Sequence, residues 1–170
     1  LRWKTAALSS DGRNGLVVCD ADPVYYSDQE RLYSVGLADG SPRWQTSLVA
    51  EITSSCHSCL QVVGSRVVVL QKDGSLQGFD AADGKLVWSI RSPDTRGFWV
   101  AGENVVFPRS ERDSSDTLLS VLDPTDGKIT WETTPSCQWE DQPFAMDFDS
   151  VSVVFPLQNG DLLILFGLPT

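Results

Sequence analysis

The sequence predicts an all-β protein built from repeated four-stranded antiparallel sheets, and three observations support this fold class. A phrase ending in Gly-x-x-x-Trp occurs three times, with tryptophans at Trp44, Trp88 and Trp131, so the repeat is 43 to 44 residues long. Each copy consists of short β-rich runs separated by turn residues. No long stretch shows the 3.6-residue apolar period of a helix. Repeats of about 40–45 residues with four short strands are typical of the blades of a β-propeller.

The second copy shows the order of elements within a blade most clearly. Turn residues at Gly64-Ser65, Asp73-Gly74 and Asp83-Gly84 divide it into four runs, which predicts an antiparallel meander. The predicted strands lie at Leu60–Val63, Arg66–Gln71, Ser75–Phe79 and Lys85–Ile90. The first and third copies follow the same order, although Gly36 stands in the first copy where the others carry Asp80 and Asp123.

The repeat divides residues 1–170, taken as a single propeller unit, into three complete blades and one shared blade. The complete blades are predicted at about 12–48, 56–91 and 97–134. The fourth, 144–166, lacks the Gly-x-x-x-Trp segment, whereas residues 1–6 carry such a tryptophan at Trp3. Because ring closure removes exposed strand edges, we expect residues 1–6 to complete the fourth blade.

Three assemblies agree with a shared fourth blade. The chain closes a four-bladed ring on itself, two chains exchange terminal strands in an eight-bladed homodimer, or the chain is part of a larger propeller. The mass in solution separates the first assembly from the second.

Composition and charge limit the classes of partner. The 170 residues are 41% hydrophobic and 21% charged, which allows one compact unit with a sizeable core. The formal net charge of −10 disfavours nucleic acid and anionic membranes, because both require Lys and Arg to neutralise phosphates. No run of 18 apolar residues is present, so no membrane span is expected.

The phrase Asp-x-x-x-Gly-x-x-x-Trp resembles the repeat of the pyrroloquinoline-quinone-like (quinoprotein-like) propellers. It is complete twice, from Asp80 to Trp88 and from Asp123 to Trp131, and only the glycine and tryptophan match in the first copy. The resemblance implies that the repeat tryptophans dock between neighbouring blades: Trp3, Trp44, Trp88 and Trp131. In that position each could bury about 150–250 Å² and donate its indole N–H across the seam.

The glycines and aspartates of the phrase are interpreted as turn residues. Glycine supplies the positive φ that such a turn needs, and aspartate accepts hydrogen bonds from nearby backbone amides. The longer pattern of oxygen ligands that a calcium loop requires is absent from the sequence. We therefore assign a structural role to Gly40, Gly84 and Gly127.

The resemblance does not extend to the catalytic features of the family. Its quinone-dependent alcohol dehydrogenases carry an adjacent-cysteine ring, calcium ligands and a catalytic aspartate on eight blades. Here no two cysteines are adjacent, and 170 residues make about half of such a ring. No nucleophile triad, P-loop or dinucleotide fingerprint is present either. We expect no quinone cofactor and no enzymatic activity, with a quinone-dependent dehydrogenase fragment as the weakest hypothesis.

The four cysteines carry the alternative hypothesis, a cysteine-based metal (zinc) or redox protein. Cys56 and Cys59 form a Cys-x-x-Cys around the lone His57, and with Cys19 and Cys137 they could supply a four-cysteine zinc site. Disulfides, as Cys56–Cys59 or Cys19–Cys137, would instead suit an extracytoplasmic protein, towards which the sequence leans weakly. Buried reduced thiols are the third interpretation.

Partner binding is predicted where the repeat is interrupted. The longest polar insertion, Arg109–Asp116, includes Arg109 and Arg112, and the connection Pro135–Phe144 carries Trp139 outside the repeat register. Aromatic and arginine side chains are the usual anchors of protein interfaces. The first hypothesis is therefore a non-catalytic propeller scaffold that binds a protein or peptide partner through this loop face.

Overall fold

A computed structural model describes most of the three complete repeats. The described residues are 22–28, 30–52, 59–93, 95, 97–109 and 118–133, together with the strand backbone at 17–18, 110, 117, 136–139, 142–145, 151–156 and 162–166.

Three four-stranded antiparallel sheets follow one another along the chain, each in sequential strand order. The first contains β1 (Val17–Val18), β2 (Val24–Ser27), β3 (Arg31–Val35) and β4 (Pro42–Ser47). The second contains β5 (Leu60–Val63), β6 (Arg66–Leu70), β7 (Ser75–Asp80) and β8 (Leu86–Arg91). The third contains β9 (Trp99–Ala101), β10 (Asn104–Ser110), β11 (Thr117–Leu122) and β12 (Ile129–Thr133). The described part of the chain contains no helix, which confirms the predicted all-β class.

Two hairpins follow the third sheet. Strands β15 (Val151–Pro156) and β16 (Leu162–Phe166) pair where the fourth blade is predicted. Strands β13 (Ser136–Trp139) and β14 (Gln142–Ala145) form a hairpin across the connection Pro135–Phe144, where no strand is predicted from the sequence. Two residues separate these strands, as in the commonest hairpin loops. Residues 1–6, including Trp3, lie outside the described residues.

The turn between the last two strands has the same backbone in all three sheets. In the second sheet, Asp80 N donates to Lys85 O (2.8 Å), Gly84 N donates to Asp80 O (2.8 Å), and Gly84 has φ 73°. The equivalent bonds join Gly36, Gly40 and Ser41 in the first sheet, and Asp123, Gly127 and Lys128 in the third.

Aspartate side chains hold these turns closed. Oδ1 of Asp80 accepts from Ala82 N (2.9 Å), and Oδ1 of Asp83 accepts from Lys85 N (3.0 Å). The hydrogen bond from the Lys85 side chain lowers the pKa of Asp83, and Lys128 lowers the pKa of Asp126 in the same way. The carboxylates of the repeat thus bind backbone amides and lysines of their own turns.

The largest core cluster runs through all three sheets. In β6, four consecutive side chains, Val67–Leu70, are 0% exposed. Because consecutive residues of a strand point to opposite faces, both faces of the second sheet must be covered. Tyr25 and Leu32 cover it from the first sheet, and residues such as Phe107 cover it from the third.

The seam between the first and second sheets is closed by an indole. Trp44 Nε1 donates to the carbonyl of Ala81 (3.0 Å), which also accepts from the Tyr25 hydroxyl (3.2 Å). A Cβ at Gly84 would lie 2.5 Å from Cε3 of Trp44, so only glycine allows the ring to lie against this turn. Burial raises the pKa of Tyr25.

The seam between the second and third sheets repeats this geometry. Trp88 Nε1 donates to the carbonyl of Pro124 (2.6 Å), and a Cβ at Gly127 would lie 2.5 Å from Cγ of Trp88. Arg66 crosses the same seam and donates to the carbonyl of Thr125 (3.2 Å).

The three repeat tryptophans that the structure describes differ in exposure and in the residue opposite them on the neighbouring strand. Gly78 pairs with Trp88, which is 7% exposed, and a Cβ at this glycine would lie 2.1 Å from the indole. Ser34 pairs with Trp44, which is half-buried, and Val121 pairs with Trp131, which is 49% exposed.

We predict that Gly127→Ala destabilises the fold more than Gly102→Ala. Both glycines have positive φ (76° and 63°), but only Gly127 touches the indole of Trp88, whereas nothing lies within 4 Å of a Cβ at Gly102. The contact should add about 1–3 kcal/mol to the cost of the strained backbone. Urea unfolding of the two variants measures the difference.

Gly97→Ala serves as the baseline, because a Cβ at Gly97 also meets nothing within 4 Å and no positive φ occurs there. Equal free energies of unfolding for Gly127→Ala and Gly102→Ala would contradict the role assigned to the indole contact.

Candidate partner-binding face

The antiparallel order of the strands gives the three sheets two distinct ends. One end, which we call the turn face, carries the turns at Gly40, Gly84 and Gly127 and the short turns at Gly64 and Gly102. The other, which we call the loop face, carries the connections between the second and third strands of each sheet and the connections from one sheet to the next. Strand β10 ends, strand β11 begins and strand β12 ends at the loop face.

Arg109, predicted to bind a partner, is engaged within its own sheet. It lies on β10 and pairs with Leu118 of β11, and its guanidinium lies 3.2 Å from Oε1 of Glu132 on β12. The same carboxylate oxygen accepts from the hydroxyl of Ser120 (2.6 Å). This network crosses three strands, so Arg109 supports the base of the insertion.

The structure places the other predicted partner-binding residues only in part. Arg112 lies outside the described residues. The backbone of Trp139 ends strand β13, opposite Gln142 of β14. Trp139 is therefore carried by a strand rather than by an irregular loop.

Of the four cysteines on which the metal hypothesis depends, Cys59 is the one whose side chain the structure describes. This residue directly precedes β5, is 0% exposed and is disulfide-bonded. Cys19, Cys56 and Cys137, the candidate partners, lie outside the described residues. A disulfide sulfur is not the thiolate that zinc binds, so in this state Cys59 is not a zinc ligand. Within the described ranges, no three His, Cys, Asp or Glu side chains are grouped so that they could hold a metal ion.

The loop face carries a hollow that is not predicted from the sequence. It has a volume of about 360 Å³ and is lined by Glu30, Arg31 and the segment Ser47–Glu51. The apolar run Leu48-Val49-Ala50, directly after the outer strand β4, was the available signal. Val49 is 77% exposed, the highest value among the large hydrophobic residues that the structure describes.

Three hydrogen bonds fix the walls of this hollow. Leu48 N donates to Glu30 O (2.8 Å), which ties the segment to the preceding connection. Ala50 N donates to Oε1 of Gln71 (2.6 Å), and Lys72 N donates to Glu51 O (2.8 Å), which tie it to the second sheet. The apolar segment is thus held in place while the side chain of Val49 faces solvent.

The family of the chain follows from its match to a family model. Residues 1–140 match the model described as outer membrane protein assembly factor BamB. The chain belongs to the BamB family. This membership confirms the resemblance to pyrroloquinoline-quinone-like propellers drawn from the repeat.

Solved structures similar to this BamB-family chain share its fold. BamB from Moraxella catarrhalis is 16% identical with a TM-score of 0.56, over 72% of this chain and 36% of that one. A europium-containing methanol dehydrogenase is 15% identical with a TM-score of 0.57, over 78% of this chain and 26% of that one. The computationally designed Ika4 protein is 14% identical with a TM-score of 0.57, over 91% and 92%. This chain thus spans 36% and 26% of the first two proteins.

No curated protein matches the chain. In the part of the chain that the structure describes, no helix is long and apolar enough to cross a membrane.

We predict that Cys59 is protected from alkylation in the unfolded, unreduced chain. Peptide mapping without reductant should recover Cys59 in a cross-linked peptide, whose second member identifies the partner cysteine. Reduction should lower the free energy of unfolding by about 2–4 kcal/mol, since a disulfide restricts the unfolded chain.

The matched control is Cys59→Ala, in which the partner cysteine becomes alkylatable without reductant. Labelling of Cys59 in the unreduced wild-type chain would disprove the disulfide.

Proposed function

We propose that this chain is a non-catalytic propeller scaffold that binds a protein or peptide partner through its loop face. The observation that carries the proposal is the match of residues 1–140 to the outer membrane protein assembly factor model. An assembly factor acts by contact with other proteins, and the same mode of action is proposed here. The partner surface is assigned to the insertion at 109–116 and to the β13–β14 hairpin with Trp139.

The hydrogen bonds of the repeated aspartates and tryptophans support the proposal of a non-catalytic scaffold. Asp80 and Asp83 accept hydrogen bonds from backbone amides of their own turn. The indole N–H groups of Trp44 and Trp88 donate to carbonyls of the next sheet. The repeat tryptophans of the first two sheets and these turn aspartates are thus engaged inside the fold, and binding is assigned to the segments that break the repeat.

The proposal includes no quinone or metal cofactor. The likeness to the methanol dehydrogenase, at 15% identity, concerns the fold alone. Zinc binding by the cysteines is the second candidate, and the disulfide at Cys59 supports the oxidised form instead. Because disulfides persist in oxidising compartments, we propose an extracytoplasmic location, in agreement with the outer-membrane description of the family.

We propose that the scaffold works in one of three assemblies: a self-closed ring, a strand-exchanged homodimer or part of a larger propeller. A chain that spans 36% of a BamB structure agrees with part of a larger ring. This chain covers 92% of the designed Ika4 protein, which supports a folded unit of about this length. A self-closed monomer and a strand-exchanged homodimer differ in mass, so sedimentation of the chain separates these two.

We predict that photo-crosslinking residues placed at Arg112 and Trp139 capture one and the same protein in cells that produce this chain. The reason is that Arg112 lies in the insertion after β10 and Trp139 in the segment after β12, which are the two segments to which the partner is assigned. Adducts excised from a gel and identified by mass spectrometry give the measurement.

The control positions are Lys85 and Glu103 on the turn face, which should give no such adduct. Capture from the turn face alone would overturn the proposal. Tightly bound zinc, with loss of the fold on chelation, would favour the metal protein. Calcium- and quinone-dependent alcohol oxidation would establish the dehydrogenase.

A further inference from the structure

Strand β8 is the outer edge of the second sheet, and its backbone offers hydrogen-bonding groups along that edge. Among the described strands it pairs with β7 alone. Ser92 N donates to the carbonyl of Gly74 (2.9 Å), which continues the ladder between the two strands. Because the backbone groups of an antiparallel strand point alternately to its two sides, those of Arg91 and Ser89, at alternate positions, point away from the sheet.

The exposed side chains of this edge are apolar or small, apart from one cation at its end. Leu86 is 50% exposed and Val87 is 42% exposed, and Ser89 is exposed beside the buried Trp88. Arg91 is also exposed, and it forms no hydrogen bond or ion pair with the residues that the structure describes. Val87, Ser89 and Arg91 thus form an exposed row along the edge.

The other two outer strands that the structure describes carry residues that discourage the addition of a strand. Strand β4 begins with Pro42, which has no N–H, and continues with Arg43. In β12, Glu132 directly follows the repeat tryptophan, at the position where β8 has Ser89. Proline and charged side chains are common means of protecting sheet edges. Since residues 86–90 include neither, β8 is the least protected of these three edges.

We propose that β8 adds an extended segment of another protein as a fifth strand of the second sheet. The segment runs antiparallel, the more stable arrangement, and exchanges backbone hydrogen bonds with Ser89. It places a β-branched aliphatic residue beside Val87 and a carboxylate beside Arg91. In strand addition the main chain supplies affinity and the side-chain pairs supply selectivity. The carboxylate follows from charge complementarity with the unpaired Arg91. This edge is separate from the loop-face binding proposed above and does not depend on it.

The test adds three peptides to the full chain and follows hydrogen exchange of backbone amides by NMR. The first probe is acetyl-Thr-Asp-Thr-Val-Thr-Val-Thr-amide, the second is the same peptide N-methylated at its central valine, and the third has lysine in place of aspartate. In the free protein the amides of Ser89 and Arg91 should exchange rapidly. Saturation with the first peptide should protect both, because they enter a ladder.

The other two peptides separate the backbone contribution from the charge contribution. N-methylation should weaken binding about tenfold or more, because one hydrogen bond is lost and the methyl group obstructs the pairing. Replacement of aspartate by lysine should weaken binding about two- to fivefold, as for an exposed ion pair.

Substitutions on the edge identify the contacts within this chain. Ser89→Pro removes an outward amide and should weaken the first peptide about tenfold. Gln45→Pro is the matched control, because Gln45 follows Trp44 on β4 as Ser89 follows Trp88 on β8, and it should leave the affinity unchanged. Proline is tolerated where an edge amide faces solvent. Arg91→Glu changes an exposed side chain and should reverse the preference between the aspartate and lysine peptides.

Three results would overturn the inference: equal affinity for the plain and N-methylated peptides, unchanged exchange at Ser89 and Arg91, or no saturable binding up to the solubility limit of the peptides. Protection of these two amides when the free chain is concentrated would instead assign the edge to a second copy of the chain. None of these results bears on the crosslinks from Arg112 and Trp139, so failure of this edge is distinguishable from failure of the proposed function.

Discussion

An indole ring on the outer strand of one sheet requires two groups from the next sheet, a glycine that lets the ring lie against the chain and a carbonyl that accepts its N–H. Gly84 and Ala81 supply them to Trp44, and Gly127 and Pro124 supply them to Trp88. The glycine has this position because it occupies the positive-φ site of a turn closed by aspartate. The contact between each indole and the turn of the next sheet therefore links the spacing of the repeat, the turn type and the packing of adjacent sheets.

This contact also explains why the two ends of the sheets differ. The turn face packs in the seams between sheets, because its backbone carbonyls and glycines contact the indole of the preceding sheet. In the described residues, the loop face makes no such contact with a repeat tryptophan. Its connections differ from sheet to sheet in length and composition, and they include both the exposed Val49 and the insertion after Arg109. The length and composition of the connections can therefore vary at the loop face, because that end of the blades does not close the seam.

The elements that depend on local sequence could be predicted, and those that depend on contacts between distant segments could not. The strands and the turns at Gly84 and Gly127 follow from alternating β-rich runs and Asp-Gly pairs. The hollow depends on Leu48 meeting Glu30 and on Ala50 meeting Gln71, which no local pattern indicates. The pairing of Arg109 with Glu132 likewise depends on strand register, 23 residues apart in sequence.

The seam has a direction along the chain, and synthesis of the chain has the same direction. The turn that covers Trp44 follows it by about forty residues, and the turn that covers Trp88 follows at a similar distance. At about 5–20 residues per second, each indole emerges from the ribosome about 2–8 seconds before the glycine that will cover it. Each newly made sheet thus presents one uncovered aromatic ring at its leading edge until its neighbour is complete. The turn that covers each indole is therefore synthesised after the sheet that carries the indole.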